Sequence, residues 1–330
     1  MRREAPLPSP RPGNTALALT TLLAALVALW IGPAEITPRA LWEDEAARRV
    51  VLELRLPRIL AALLVGAGLA TAGALLQALL RNPLSDPAIL GVSGGAALGA
   101  ASILTLGAAA AFPVPLAAFV GAVFTTLAVW RLGSVDGAVR PSSLLLAGVA
   151  VNALAGASVG LMLVFADDGA LRSTTFWLFG TLNRATLGAL IPLAIAVPLV
   201  LVYAERRAIQ LDQYQLGERE ARQAGLGVRR LQWTGLGLAC LLTALAVAVA
   251  GVVGFVGLMV PHLLRLRAPD GGHRHLLLGS ALGGGLLLLA ADIFARTVAQ
   301  PAELPIGLIT ALLGAPFFLV LLRGQARRAT

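Results

Sequence analysis

ILAALLVGAGLATAGALLQALLRNPLSDPAILGVSGG, residues 59–95, decides what kind of chain this is. Its first part, Ile59–Leu80, holds no Asp, Glu or Arg and exceeds the roughly 20 residues that cross a hydrocarbon core about 30 Å thick. Strand-type alternation is absent. A lipid-embedded segment must satisfy its own backbone groups, so the run predicts a helix. At Arg81-Asn82-Pro83 the apolar run stops. Pro83, Pro87, Gly91, Gly94 and Gly95 then interrupt the sequence before hydrophobic character resumes.

Working outward, the rest of the chain repeats this character. Of its 330 residues, 58% are hydrophobic and only 13% charged, against about 25% charged in a soluble domain; mean hydropathy is +0.83. Charge and turn clusters divide the chain into spans near 15–32, 57–80, 88–107, 113–131, 142–165, 188–204, 231–250, 254–266, 276–292 and 305–322. The expected fold class is an all-α polytopic membrane protein of about ten helices, a single domain over residues 1–330. Cys240 is the only cysteine and lies in an apolar run, where it serves packing.

Ten spans place both termini on one side. With that side cytoplasmic, the inner segments hold 18 Arg and 8 acidic residues, and the outer segments 8 Arg and 9 acidic residues. This is the asymmetry of an inner-membrane protein with cytoplasmic termini. The net charge of +9 is therefore a matter of topology, and nucleic acid is excluded as a partner.

Residues 251–261, GVVGFVGLMVP, are broken by Gly and Pro as residues 81–95 are, and each stretch precedes a shortened helix. Interrupted segments at matching places in two halves point to an inverted repeat in a transporter. Two ordinary loops beside Gly-rich packed helices give the same pattern.

Chemistry is scarce. Gln77 and Asn152 in the span interiors are neutral, and Asp292 sits at a span end. An intramembrane enzyme or ion-coupled carrier needs ionisable groups at membrane depth. Asp167-Asp168 lacks further carboxylates, and His273-x-His275 lacks Cys or carboxylate partners, so no metal site or cofactor is expected. No Gly-Lys-Ser/Thr phosphate loop occurs. Any energy for work must come from another chain.

Four ordered stretches carry a resemblance. They are Arg55-Leu-Pro-Arg58 with Ile59–Gly73 and Gln77; Asn82–Gly95; Leu216-Gly-Glu-Arg-Glu-Ala-Arg-Gln-Ala-Gly-Leu226; and Gly254–Arg265 continuing through Asp292–Arg296 to Glu303-Leu-Pro-Ile-Gly307 and Gly314-Ala-Pro316. Together, over residues 50–322, they resemble the permease subunits of iron-chelate, heme and cobalamin ABC importers, the FecCD-type or type II importers. That resemblance implies a ten-helix permease fold with an inverted repeat. It also implies import of heme or a ferric siderophore by alternating access, or of cobalamin as the alternative. A less favoured reading is an ion-coupled secondary carrier. The implied partners are a second copy of the chain, a cytoplasmic ABC ATPase dimer, and a periplasmic or lipid-anchored substrate-binding protein.

The resemblance also assigns residues. Within the charged segment 205–230, Leu216, Gly217, Glu218, Ala221, Arg222, Gly225 and Leu226 correspond to the coupling helix that docks on the ATPase, with Leu216, Ala221 and Leu226 as anchors. Gly225 suits the end of such a helix; by itself the segment is an amphipathic loop. Arg55, Arg58 and Arg296 correspond to outer arginines that face acidic residues of the binding protein. Read alone they are interfacial arginines reaching to headgroups, or internal partners of Glu53 and Glu303. Asn152, Ser158, Leu161 and Met162 are carried over to the pathway, with Phe176 and Trp177 at its mouth; the two aromatics equally suit interfacial anchoring.

Overall fold

The structure, a computed structural model, describes residues 12–32, 36–108, 112–135, 138–139, 141–269 and 271–329. The arginines of residues 1–11 and the ends of the single domain expected over 1–330 lie outside them.

Helix α4 (Leu56–Leu80) is the centre. The short helices α2 (Ala40–Glu43) and α3 (Glu45–Arg49) precede it, and a π-helical turn, Val50–Arg55, joins α3 to α4 without a break. Pro57 lies inside this continuous helix, just after the π-helical turn in which the Leu56 N–H reaches back to the Val51 carbonyl. Arg81, in the left-handed region at φ 50°, ends the helix. The most apolar stretch of Glu45–Leu80 is 78% buried by the rest of the chain, whereas that of α7 (Pro141–Val164) is only 22% buried. The first therefore runs through the bundle and the second along its outside.

Small residues let the helices approach, as expected where lipid supplies little hydrophobic force between them. A Cβ on Gly66 would collide with the Gly284 carbonyl of α14 (Gly272–Thr297), and one on Gly73 with the Gly257 carbonyl of α13 (Val256–Arg267). Helix α5 (Val92–Thr105) crosses α6 (Val114–Gly133) in the same way at Gly99 and Ala117. Helices α1 (Pro12–Ala28), α9 (Leu187–Arg206), α12 (Val228–Ala250) and α15 (Ile306–Ala329) complete the bundle. The short helix α8 (Asp168–Leu178) lies at one end; α10 (Ala208–Gln215) and α11 (Glu218–Gln223) lie at the other. The two-residue strands β1 (Ser134–Val135) and β2 (Ala138–Val139) pair antiparallel in a minor hairpin.

Both broken stretches are real interruptions. After α4 the chain makes a 3₁₀ turn, Pro87–Leu90, and passes Gly91 at φ 85° before the 14-residue α5. After α12 it runs extended through Gly251 to Phe255, which sits at φ 68°, before the 12-residue α13. A 12-residue helix is about 18 Å long, too short to cross alone. Among the described residues, six helices are long and apolar enough to cross, with shorter apolar helices at Gly13–Ala28, Val92–Thr105 and Ile306–Leu321.

Candidate functional site

The bundle presents functional side chains at its two ends. At one end Arg55, Arg58, Asp292, Arg296 and Glu303 form one cluster. Arg58, 13% exposed, donates from Nε to Asp292 Oδ1 at 2.8 Å and from Nη1 to both Glu303 oxygens at 2.9 and 3.0 Å. Asp292 is 1% exposed and also pairs with Arg296 at 3.6 Å. Arg296 Nη2 donates to the Ala28 carbonyl at 2.9 Å, and Arg55 Nη1 to the Leu29 carbonyl at 2.7 Å. The guanidinium groups thus satisfy carbonyls left over at the C-terminal end of α1, where cations are favoured. Gly32 leaves the space that Arg55 occupies.

The three arginines expected at the outer surface differ in exposure. Arg55 and Arg296 are 5% and 3% exposed and are committed to α1 carbonyls and to Asp292. Arg58 alone reaches the rim, and Glu303, 36% exposed, already occupies its outer edge. Burial of the pairs is the physical reason: a charge taken from water must keep its partner.

At the other end lies the 205–230 module. Its helix is shorter than Leu216–Leu226: Gly217 at φ 142° separates α10 from α11, and Gly225 at φ 79° ends α11 as expected. Leu216 is 78% exposed, and Glu218 and Arg222 pair along α11 at 2.6 Å. Ala221 is buried against the neighbouring helices, and Leu226 is half-buried and packs on the core.

Helix α10 is clasped on three sides by groups that the sequence reading passed over. Gln215 donates to the Ala78 carbonyl of α4 at 2.8 Å, and the Arg81 guanidinium lies 5.4 Å from the Tyr214 ring. Gln232 of α12 donates to the Tyr214 hydroxyl at 2.8 Å. Asp212 accepts the His273 backbone N–H of α14 at 3.0 Å and lies 2.5 Å from its Nδ1. Arg265 donates to the Gln77 side chain beside them. These contacts join residues distant in sequence; only the polar character of Gln77 and Gln232 in apolar helices hinted at them.

Between the ends, the residues carried over to the pathway divide. Asn152 is a clamp: its amide donates to the Ala88 carbonyl at 3.0 Å and its oxygen accepts the Gly94 N–H at 3.1 Å, tying α7 to the first break. Leu161 and Phe176 are exposed, Ser158 and Met162 half-buried. Trp177 is buried. Just beyond it, Gly307 and Ile306 of α15 donate to the Phe179 and Gly180 carbonyls, and Thr181 to the Ala250 carbonyl. The end of α8, the second break and the start of α15 are therefore knit together. Phe255 in that break packs on Gly314 and lies 6.2 Å from Phe318, both in α15. A bulky residue at positive φ is strained and marks a place worth functional attention. Among the described residues no group of three His, Cys, Asp or Glu could hold a metal.

Comparison with known proteins gives consistent matches. The model of the FecCD transport family matches residues 19–324. The hemin transport system permease protein HmuU of Yersinia pestis is 40% identical over 336 residues, covering 95% of this chain and 97% of that protein. The cobalamin import system permease protein BtuC of Halobacterium salinarum is 44% identical over 289 residues, covering 86% and 76%. A solved structure described as an inward-facing metal-chelate type ABC transporter superposes with a TM-score of 0.83 at 32% identity, covering 94% of this chain and 98% of that one.

Proposed function

Because the chain belongs to the FecCD transport family, we propose that it is the membrane-spanning subunit of an ATP-driven importer that moves a bulky metal chelate, heme or a ferric siderophore, by alternating access. The subunit does no chemistry of its own and takes its energy from a separate ATPase chain. One observation carries the mechanism: a small exposed module, α10–α11, is clasped to α4, α12 and α14 together. A force on Leu216 is passed to three long helices at once. The ATPase surface is then Leu216 with the exposed edge of α11, and Ala221 and Leu226 hold that edge in place.

The binding protein docks at the opposite end, through Arg58. An incoming carboxylate takes the place of Glu303 on its guanidinium, because the two-oxygen geometry that Glu303 supplies is the one a partner carboxylate offers. Arg55 and Arg296 hold Arg58 and Asp292 in place. Two copies enclose the pathway, with the bare apolar faces of α7 (Leu154, Leu161) and α15 (Leu312) opposed. Both termini are cytoplasmic by the arginine asymmetry, and the membrane is the bacterial inner membrane. Cobalamin is the second reading, favoured by the 44% identity to a cobalamin permease.

Vesicles holding this permease, its ATPase and loaded binding protein should import the chelate on ATP with the membrane potential collapsed. Uptake driven by an ion gradient without ATP would overturn the reading. Within it, E303Q should tighten binding-protein docking and R58E should abolish it; affinities unchanged at low salt would remove Arg58 from the docking site. The chelate that co-purifies with the binding protein decides between heme, siderophore and cobalamin.

A further inference from the structure

At the arginine-rich end of the bundle a groove of about 530 Å³ opens between α1 and α13. It forms because both helices lie against α14 without closing on each other. His275, Gly279 and Gly283 of α14, spaced four apart, share one face. Leu264 and Leu17 lie beside Gly279 and Gly283, where a side chain would fill the space. The wall from α1 presents Asn14, Leu17 and Thr20; the wall from α13 presents Leu264 and Arg267.

Polarity is graded along the groove. Asn14, Arg267 and His275 stand at the helix ends, while Leu17, Leu264 and Thr20 lie further in. From Gly13 to Thr20 the α1 wall runs about 10 Å, roughly the depth from a phosphate to the upper part of an acyl chain. Among the described residues no carboxylate lines the groove. Arg267 is exposed and makes no ion pair among the described residues, which leave out Asp270. Asn14, itself buried, donates to the His275 carbonyl at 3.3 Å and holds the α1 wall to α14. The groove is cationic at its mouth, apolar below and open sideways. That is the shape of a phosphate-bearing amphiphile, and basic pockets between helices on this side of a membrane hold anionic headgroups.

We propose that this groove is a binding site for one anionic phospholipid, its phosphate on Arg267 beside His275 and an acyl chain along Leu17 and Leu264. The site is independent of the transported chelate and of the docking assignments. It requires only that the bundle sits in a membrane with this end at a headgroup layer. A lipid seated there fills the gap beside α1, which otherwise rests on α14.

The test uses the full-length permease in detergent, stripped of lipid and titrated with phosphatidylglycerol, phosphatidylcholine or inorganic phosphate. Bound lipid is counted by native mass spectrometry and thermal unfolding is followed in parallel. Phosphatidylglycerol should bind one per chain and raise the unfolding temperature, and phosphatidylcholine should not. R267Q should weaken retention about fivefold, as loss of one arginine near a headgroup implies, and T20W should block it. R229Q, an exposed arginine elsewhere at the same end, should change nothing. Equal retention of phosphatidylcholine, an unaffected R267Q, or an equal loss in R229Q would overturn the site. Stabilisation by inorganic phosphate to the same extent would make it a free-anion site and overturn the lipid assignment.

Discussion

Asp292 shows how a single residue's environment changes its meaning. In the sequence it is a carboxylate at the edge of a helix; in the structure it is enclosed and shared by Arg58 and Arg296. Removing one partner from a buried ion network strands the others and costs about 3–5 kcal/mol. D292A should therefore lower the thermal stability of the permease far more than E303A, because Glu303 is partly exposed and solvent screens what it leaves behind. A thermal-shift comparison of the two purified variants checks this; equal losses would mean that Asp292 does not organise the cluster. Arg58, Asp292 and Glu303 were each visible as charged residues near helix ends. Their mutual pairing was not, because it joins positions more than 200 apart in the chain.

Among the elements, α10 and α11 carry the clearest consequence. Leu216 projects from the turn between them, while Ala221 faces inward. The two residues should fail differently. L216D leaves the module folded and removes its apolar contact, so ATPase binding should fall while thermal stability stays within about 0.5 kcal/mol of the parent, as for surface changes. A221W forces an indole between α11 and its neighbours, and overpacking of that kind costs about 1–3 kcal/mol; ATP hydrolysis should continue without transport. A pull-down with the ATPase and a coupled-transport assay separate the two. If A221W transports normally, α11 does not relay motion. Gly225 was legible in the sequence as the end of a short helix; the break at Gly217 was not. The burial of Ala221 was not, because an alanine suits either side of an amphipathic segment.

For the whole molecule, the unequal burial of the helices matters most. α4 is enclosed, whereas α7 and α15 turn large apolar side chains outward, among them Leu154, Leu161, Leu312 and Leu319. A face of this kind meets lipid or a second copy. L154R combined with L312R should convert a dimer to a monomer in detergent, read by light scattering. An unchanged mass would place α7 and α15 against lipid and remove them from the pathway.

The sequence by itself determined that the chain is helical and membrane-embedded, where its two breaks fall, and which short stretches mark its family. Those are local properties: hydropathy acts over the thickness of a bilayer, and Pro and Gly interrupt a helix wherever they stand. Only the tertiary structure decided which arginines are buried, that Asn152 is a clamp, that Trp177 is covered, and that α1 and α13 leave a groove over α14. Each of these depends on which helices become neighbours. In a bundle held by close contacts of Gly and Ala, that choice is made by shape complementarity between distant segments, which composition and spacing do not record.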